Sequence, residues 1–338
     1  MKIREMVKTF KPYKVIEGNY RIWLDKNENP FDLPDEIKDE IFEKLRKTPF
    51  NRYPHITSMP LREKIAEFYG LSPRNVAVGN GSDELLDYLI KIFEGDYIIT
   101  TPPTFGMYYF YAKLEGIPIV EVPLNEQFLI NGEEIAKKAK KASIIFITSP
   151  NNPTGNSQPR EEILKVLDSG APVVIDEAYA EFSKENCVDL LDEYNNLLIL
   201  RTFSKAFGLA GIRLGYLLAD TEIIDALYRI KPPFGVNSLS MIAAMVMLDH
   251  YNVIEERVKY IVRERERLYK KFKEYAYPSD ANFLLMRLNA YEFLLERGIV
   301  VRKLEGRLQG HIRVTVGRKE ENEELIKALE EFLDVANI

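Results

Sequence analysis

Between residues 76 and 219 the chain carries seven short runs that are almost wholly apolar: Val76–Gly79, Tyr97–Thr100, Ile117–Val122, Ser143–Thr148, Pro172–Ile175, Leu197–Leu200 and Gly215–Ala219. Helical periodicity fills several of the gaps. After the first run, Leu85, Leu89, Ile92 and Phe93 recur on one side, and Glu161–Leu167 reads as a further helix. A strand with one wet face alternates apolar and polar residues, whereas a run that does not alternate is covered on both faces. Strands of this kind alternating with helices predict an α/β fold, with a mostly parallel sheet between layers of helices. In such sheets ligands bind beyond the carboxyl ends of the strands. The loops that leave those ends are therefore where chemistry is expected.

The flanks read differently. Residues 1–30 look like an N-terminal arm, with turn chemistry in Asp25-Lys26-Asn27-Glu28-Asn29-Pro30-Phe31. Residues 31–235 form the expected large domain. After Pro232-Pro233 an apolar helix, Ser240–Leu248, and a long charged helix from about Val253 to Tyr275 lead into a smaller α+β unit, residues 236–338, which also takes in part of the N-terminal segment. Its strands are expected near Phe283–Leu288, Ile299–Val301 and Ile312–Val316, closed by a helix from Glu320. A chain of 338 residues is long enough for two cores. A net charge of −6 argues against a nucleic-acid partner held by a basic face. No apolar run reaches 18 residues, so no membrane span is expected. Met1–Lys14 lacks the apolar centre of a signal peptide. The single cysteine, Cys187, excludes an intrachain disulfide and fits a reducing cytoplasm.

Four loops at expected strand ends carry the informative residues. Thr202-Phe203-Ser204-Lys205 opens a stretch that runs to Arg213 and Tyr216. A lysine among small and apolar neighbours can be desolvated, lose its proton and form a Schiff base with a carbonyl compound. Arg213 suits a phosphate, and Thr202 and Ser204 add neutral donors to it. A lysine for an aldehyde and an arginine with hydroxyls for a phosphate are what pyridoxal phosphate requires. Asn80-Gly81-Ser82-Asp83 begins a helix whose amide groups can face an anion, although alone it reads as a plain cap. Ser149–Gly155 contains Asn152, a rigid amide before a proline. Asp176, at a buried strand end, needs a cationic partner, which a protonated pyridine nitrogen would provide. Tyr179, three residues on, could donate to the ring's phenolic oxygen beside Asn152. The three histidines, His55, His250 and His311, are dispersed and read as structural. No zinc-ligand spacing is present, and no metal is expected.

With these residues in view, the chain resembles the aspartate-aminotransferase-like group of pyridoxal-phosphate enzymes (fold type I), and within it the histidinol-phosphate aminotransferase family. The matching motifs are Asn27-Glu28-Asn29-Pro30, Arg52-Tyr53-Pro54, Gly79–Glu84, Ser149–Gly155, Ile175–Tyr179, Thr202–Tyr216 and Arg313–Gly317, in family order over nearly the whole chain. The resemblance implies a seven-stranded, mostly parallel large-domain sheet, a small α+β domain and an N-terminal arm. It implies that Lys205 carries the cofactor and shuttles a proton, that Asp176 pairs with the pyridine nitrogen, and that Asn152 and Tyr179 contact the ring oxygen. Gly81, Ser82, Asp83 (through its backbone N–H), Thr202, Ser204 and Arg213 would surround the phosphate, and Phe105 would stack on the ring. Tyr53 would reach the cofactor phosphate of a neighbouring subunit, which makes the enzyme a homodimer. Arg313 would bind the carboxylate of glutamate or 2-oxoglutarate, and Arg302 the phosphate of histidinol phosphate. Tyr20, Asn27 and Asn29 would belong to the arm covering the site.

The sequence departs from the family pattern at Phe31-Asp32-Leu33-Pro34, which lacks a glycine, and in the short stretch between Arg302 and Arg313. Two other activities use the same cofactor residues: a decarboxylase of the threonine-phosphate type and an aromatic amino-acid aminotransferase. Carbon dioxide release against amino transfer separates the first, and substrate preference the second.

Overall fold

The seven apolar runs pair into one sheet in the computed structural model, which describes residues 1–12 and 15–336. Residues 13–14 of the expected arm and 337–338 of the C-terminal unit lie outside the described residues. Eleven strands are present among those described: β1 (Ile22–Leu24), β2 (Val76–Gly79), β3 (Tyr97–Thr100), β4 (Ile119–Glu121), β5 (Ala142–Thr148), β6 (Val173–Asp176), β7 (Leu197–Thr202), β8 (Gly215–Ala219), β9 (Phe283–Met286), β10 (Ile299–Lys303) and β11 (Ile312–Thr315). The large sheet has the order β2-β8-β7-β6-β5-β3-β4. β8 runs antiparallel to both of its neighbours, and the other pairings are parallel. Six strands therefore point the same way, and their carboxyl ends share one edge.

Every residue of β2, β5, β6, β7 and β8 is buried, as the non-alternating runs require. On one face the helices Ser82–Ile92 and Met107–Glu115 pack Leu85, Leu86, Leu89, Ile90, Tyr108 and Ala112 against the strands. On the other, the helix Met59–Tyr69 contributes Leu61 and Ile65. The sequence after β3 reads as helix from Thr104 onward, but the second of these helices begins at Met107. The Thr104 hydroxyl is engaged by Thr148 and Asn151 instead, so the chain turns over the sheet edge before winding into helix.

A second sheet, β1-β10-β11-β9, is built from the C-terminal unit. Its fourth strand comes from the N-terminal segment: Ile22 and Leu24, which read as arm, are buried, and β1 pairs in parallel with β10, Ile22 opposite Ile299. A three-residue strand is too short to carry a period. The helix Lys319–Ala336 closes this unit, with Leu325, Ile326, Ala328 and Leu329 buried.

Beside the shared edge, Arg201 of β7 is buried between two carboxylates, Glu177 at 2.6 Å and Glu181 at 3.1 Å. Tyr69 lies under its guanidinium, 5.6 Å from ring to charge. The cluster ties β7 to the segment leaving β6, the two elements that lead to Lys205 and Asp176. Arg201→Met should cost about 3–5 kcal/mol, because it leaves buried carboxylates unpaired. Urea unfolding of the variant would measure it, and a loss below about 1 kcal/mol would mean that water reaches the cluster.

Candidate active site

The site lies where the loops after β2, β5, β6 and β7 meet the antiparallel start of β8 and the small sheet. Thr148 of β5 is opposite Asp176 of β6, and Thr202 of β7 is opposite Gly215 of β8. The first pairing is parallel and the second antiparallel, and both bring residues apart in sequence to one edge.

Lys205 follows β7 and is half-buried. Its Nζ donates to the carbonyl of Lys26 at 2.9 Å and lies 5.9 Å from the centre of the Tyr179 ring. Burial pulls its pKa down to about 8, with the charges of Arg313 and Arg213 acting the same way and Glu28 and Asp83 opposing. A substantial share of this lysine is therefore neutral near pH 8, as a nucleophile or base requires.

Asp176 ends β6 and is buried. Tyr108 donates to its Oδ2 at 2.6 Å, and the backbone N–H of Ala178 to its Oδ1 at 3.2 Å. Burial pushes its pKa up to about 6, against the pull of these two donors; Asp83 and Glu177 add a smaller upward push. Both donors are neutral, so the carboxylate still lacks the cation that a buried acid calls for.

A second group forms at the N-terminus of the helix Ser82–Ile92. Gly81 has φ +89°, and a Cβ there would lie 2.9 Å from Arg213 Nη2. A Cβ on Gly215 would lie 2.4 Å from the Ser82 nitrogen. Gly81 is required by its left-handed backbone, and Gly215 by the close approach of the Ser82 backbone. Arg213, itself at φ +53°, reaches Ser204 Oγ at 3.4 Å and pairs with Asp83 at 3.6 Å. Thr202 Oγ1 accepts from the Ser204 N–H at 3.1 Å. Helix-end amides, hydroxyls and a guanidinium converge here, a donor set for a dianion.

The small sheet supplies the opposite wall. Arg313 of β11 donates to Asn152 Oδ1 and to the Asp25 carbonyl, each at 2.6 Å. Arg302 of β10 is its register partner, so both start from the same face of the sheet. Asn27 joins the walls. It donates to the Tyr179 hydroxyl at 2.9 Å and accepts from Thr315 Oγ1 at 3.1 Å, while its carbonyl accepts from Asn282. Asn29 donates to the carbonyl of Ala206, next to Lys205.

Contacts thus connect Lys205, Tyr179 and Asn27, and separately Asn152 and Arg313, while Asn29 reaches the residue after Lys205. A second set unites Gly81, Ser82, Asp83, Thr202, Ser204 and Arg213. Phe105 meets Tyr108 edge-on at 5.7 Å. Tyr20 is half-buried, edge-on to Trp23, and lies with Arg302 in the electrostatic field of Tyr291. Tyr53 stands apart on the surface, 82 % exposed and stacked on Phe234. Sequence reasoning passed over Tyr108 and Thr315. The available signals were spacing: Tyr108 is three residues beyond Phe105, and Thr315 is two beyond Arg313 on one strand face.

The residues fit pyridoxal phosphate. A glycine-lined cradle of donors suits its phosphate, a buried carboxylate at Asp176 suits a protonated ring nitrogen, and a desolvated Lys205 suits its aldehyde. Fold and site together define a class: the chain belongs to the class I and II aminotransferases, whose family profile matches residues 21–329, and it is a pyridoxal-phosphate-dependent transaminase with the aspartate aminotransferase-like fold. Among characterised relatives it is 64 % identical over 332 residues to the histidinol-phosphate aminotransferase of Pyrococcus furiosus, covering 98 % of each chain. It is 66 % identical to that of Thermococcus kodakarensis, over 99 % of this chain and 100 % of the relative. The crystal structure of histidinol-phosphate aminotransferase from Clostridium acetobutylicum superposes with a TM-score of 0.86 at 27 % identity, over 93 % of this chain and 99 % of that one. Among the described residues no helix is long and apolar enough to cross a membrane.

Proposed function

We propose that this enzyme is a histidinol-phosphate aminotransferase of histidine biosynthesis, exchanging an amino group between L-histidinol phosphate and 2-oxoglutarate. The observation that carries the reading is the pairing of Arg302 and Arg313 on one face of the small sheet, with Arg313 close enough for its charge to act on Lys205. Two arginines there suit substrates that bring either a carboxylate or a phosphate to the same place. The near-full-length identity to the archaeal relatives supports it.

Bound at this edge, pyridoxal phosphate supplies a reactive carbonyl and a ring that takes up the electron pair left when the substrate's α-proton departs. Lys205 is its point of attachment and, once free, the base that takes that proton and hands it on. Asp176 holds a proton on the ring nitrogen. Asn152 and Tyr179 orient the ring oxygen, and Phe105 covers the ring face. Arg213, Thr202, Ser204, Gly81, Ser82 and the Asp83 amide hold the phosphate. Arg313 receives the carboxylate of glutamate or 2-oxoglutarate, and Arg302 the phosphate of histidinol phosphate. Tyr20, Asn27 and Asn29 close the strap and keep water out. The large domain spans residues 31–235, and the small one takes residues 236–338 with β1.

The enzyme works as a cytoplasmic homodimer in this reading. Phe50, three residues before Tyr53 in the chain, is 86 % exposed and lines a groove with Phe42, Leu45, Arg46 and Leu239. A second copy covering that groove would bring Tyr53 to the partner's phosphate cradle. Phe50→Asp should therefore sediment as a monomer and bind pyridoxal phosphate more weakly; a dimer of unchanged affinity would remove Tyr53 from the site.

The deciding experiment measures glutamate formation from 2-oxoglutarate with histidinol phosphate and with phenylalanine at equal concentration. A large preference for histidinol phosphate, lost in Arg302→Ala, is expected. Equal turnover would move the assignment to an aromatic aminotransferase. Carbon dioxide without glutamate, on adding threonine phosphate, would move it to a decarboxylase.

A further inference from the structure

Tyr108 and Tyr216 are the largest fully buried side chains among the described residues, and none of the roles above uses Tyr108. It lies at the start of the helix Met107–Glu115, stacked on Phe146 of β5 with ring centres 4.6 Å apart and planes 10° from parallel. That stacking fixes the ring and leaves one polar atom. Its hydroxyl reaches Asp176 Oδ2 at 2.6 Å and Thr148 Oγ1 at 2.8 Å. Thr148 Oγ1 lies 3.0 Å from Thr104 Oγ1, the residue before Phe105.

Proton counting gives this chain a direction. An ionised carboxylate only accepts, so the single phenol proton goes to Asp176. The phenol oxygen then accepts from Thr148. Thr148 and Tyr108 in turn support the negative charge at the end of the chain.

We propose that Tyr108 is a positioning residue of the cofactor site: its hydroxyl, locked by the Phe146 stack and fed by Thr148, fixes the orientation of the Asp176 carboxylate and shares its negative charge. The inference rests on the proposed pairing of Asp176 with a pyridine nitrogen. A carboxylate desolvated this far draws protons towards itself. Without the phenol it would take the shared proton from the ring nitrogen instead of leaving it there. Tyr108, Ala178, Asp83, Glu177 and Tyr179 are the polar and charged groups that act on Asp176 or respond to it. Tyr108 and the Ala178 amide are its hydrogen-bond donors among them.

The test compares wild type, Tyr108→Phe and Thr148→Val, each reconstituted with pyridoxal phosphate labelled with ¹⁵N in the ring. The ¹⁵N shift reads protonation of the nitrogen directly, and cofactor affinity is measured from pH 5 to pH 9. In Tyr108→Phe the nitrogen signal at neutral pH should move towards the unprotonated position. Affinity should fall on acidification at a pH higher by about one unit, since a lost donor raises a carboxylate's pKa. Thr148→Val, which keeps the phenol but removes its own donor, should move both readouts the same way by less. Signals unchanged from wild type, or an affinity loss equal at all pH values, would overturn the proposal and make Tyr108 a packing residue. If Tyr108→Phe does not fold, a Thr148→Val protein that matches wild type overturns it equally. A wild-type nitrogen that is unprotonated at neutral pH would instead count against the pairing of Asp176 itself.

Discussion

Lys205→Ala should abolish borohydride-stable attachment of pyridoxal phosphate and lower amino transfer by about 10⁴-fold or more, since in the proposed mechanism one residue serves as attachment point and general base. Lys205→Arg should be as inactive. A guanidinium keeps the positive charge but does not give up its proton in the working pH range, so the arginine variant separates charge from proton transfer. The lowered pKa adds a sign that can be checked without turnover. A lysine whose folded value is about 8, below the ordinary 10.5, binds fewer protons folded than unfolded between those limits. Its burial therefore costs stability below pH 8, and the cost fades as pH rises to 10.5. Apoenzyme carrying Lys205→Ala should melt above wild-type apoenzyme at pH 7, with the gap closing towards pH 10. Activity within tenfold of wild type in either variant would move the attachment to another lysine.

Asp176→Asn should lower the rate by on the order of 10²–10³-fold while leaving the KM for glutamate nearly unchanged, because the amide cannot keep a ring nitrogen charged. Here the pKa is raised, to about 6 from 3.8. The folded protein binds more protons than the unfolded chain between those values, so the buried charge costs stability above pH 6 and nothing below about 4. Apoenzyme carrying Asp176→Asn should thus be more stable than wild-type apoenzyme at pH 7, by up to about 3 kcal/mol. The difference should disappear as pH falls from 6 to 4. Thermal melts at several pH values test this, and a variant less stable than wild type at pH 7 would mean that the carboxylate is not desolvated.

The seven strands of the large sheet were legible because each is buried on both faces, and such strands announce themselves as apolar runs. Lys205, Asp176 and Arg213 could be placed at one edge from sequence because parallel strands put all their exits on the same side. Three other features depend on contacts that no local pattern encodes. The burial of Arg201 between Glu177 and Glu181 puts charges where composition expects none. Tyr108 reads as one more aromatic in an apolar helix, and its tie to Asp176 exists only once β6 and that helix are packed. Asn27 reads as a turn residue, yet it spans 152 positions to Tyr179 and 288 to Thr315. The short strand β1 escaped for a simpler reason: three residues give neither an alternation nor a run.

That strand also sets an order for how the molecule is made. Ile22 leaves the ribosome first, but its partner Ile299 is 277 positions later, from the register of β1 against β10 (299 − 22). At about 5–20 residues per second the interval is roughly 15 to 55 s. The strands of the large sheet, residues 76 to 219, are all synthesised within that time and can pair with one another. The nascent chain therefore carries Ile22-Trp23-Leu24 without their β10 partners throughout the interval in which the large-sheet strands can pair. The segment leading to Asn27 and Asn29 gains its β10 partner only when the last strands arrive, so a ribosome-bound chain halted before residue 299 should hold the large sheet with that segment unanchored.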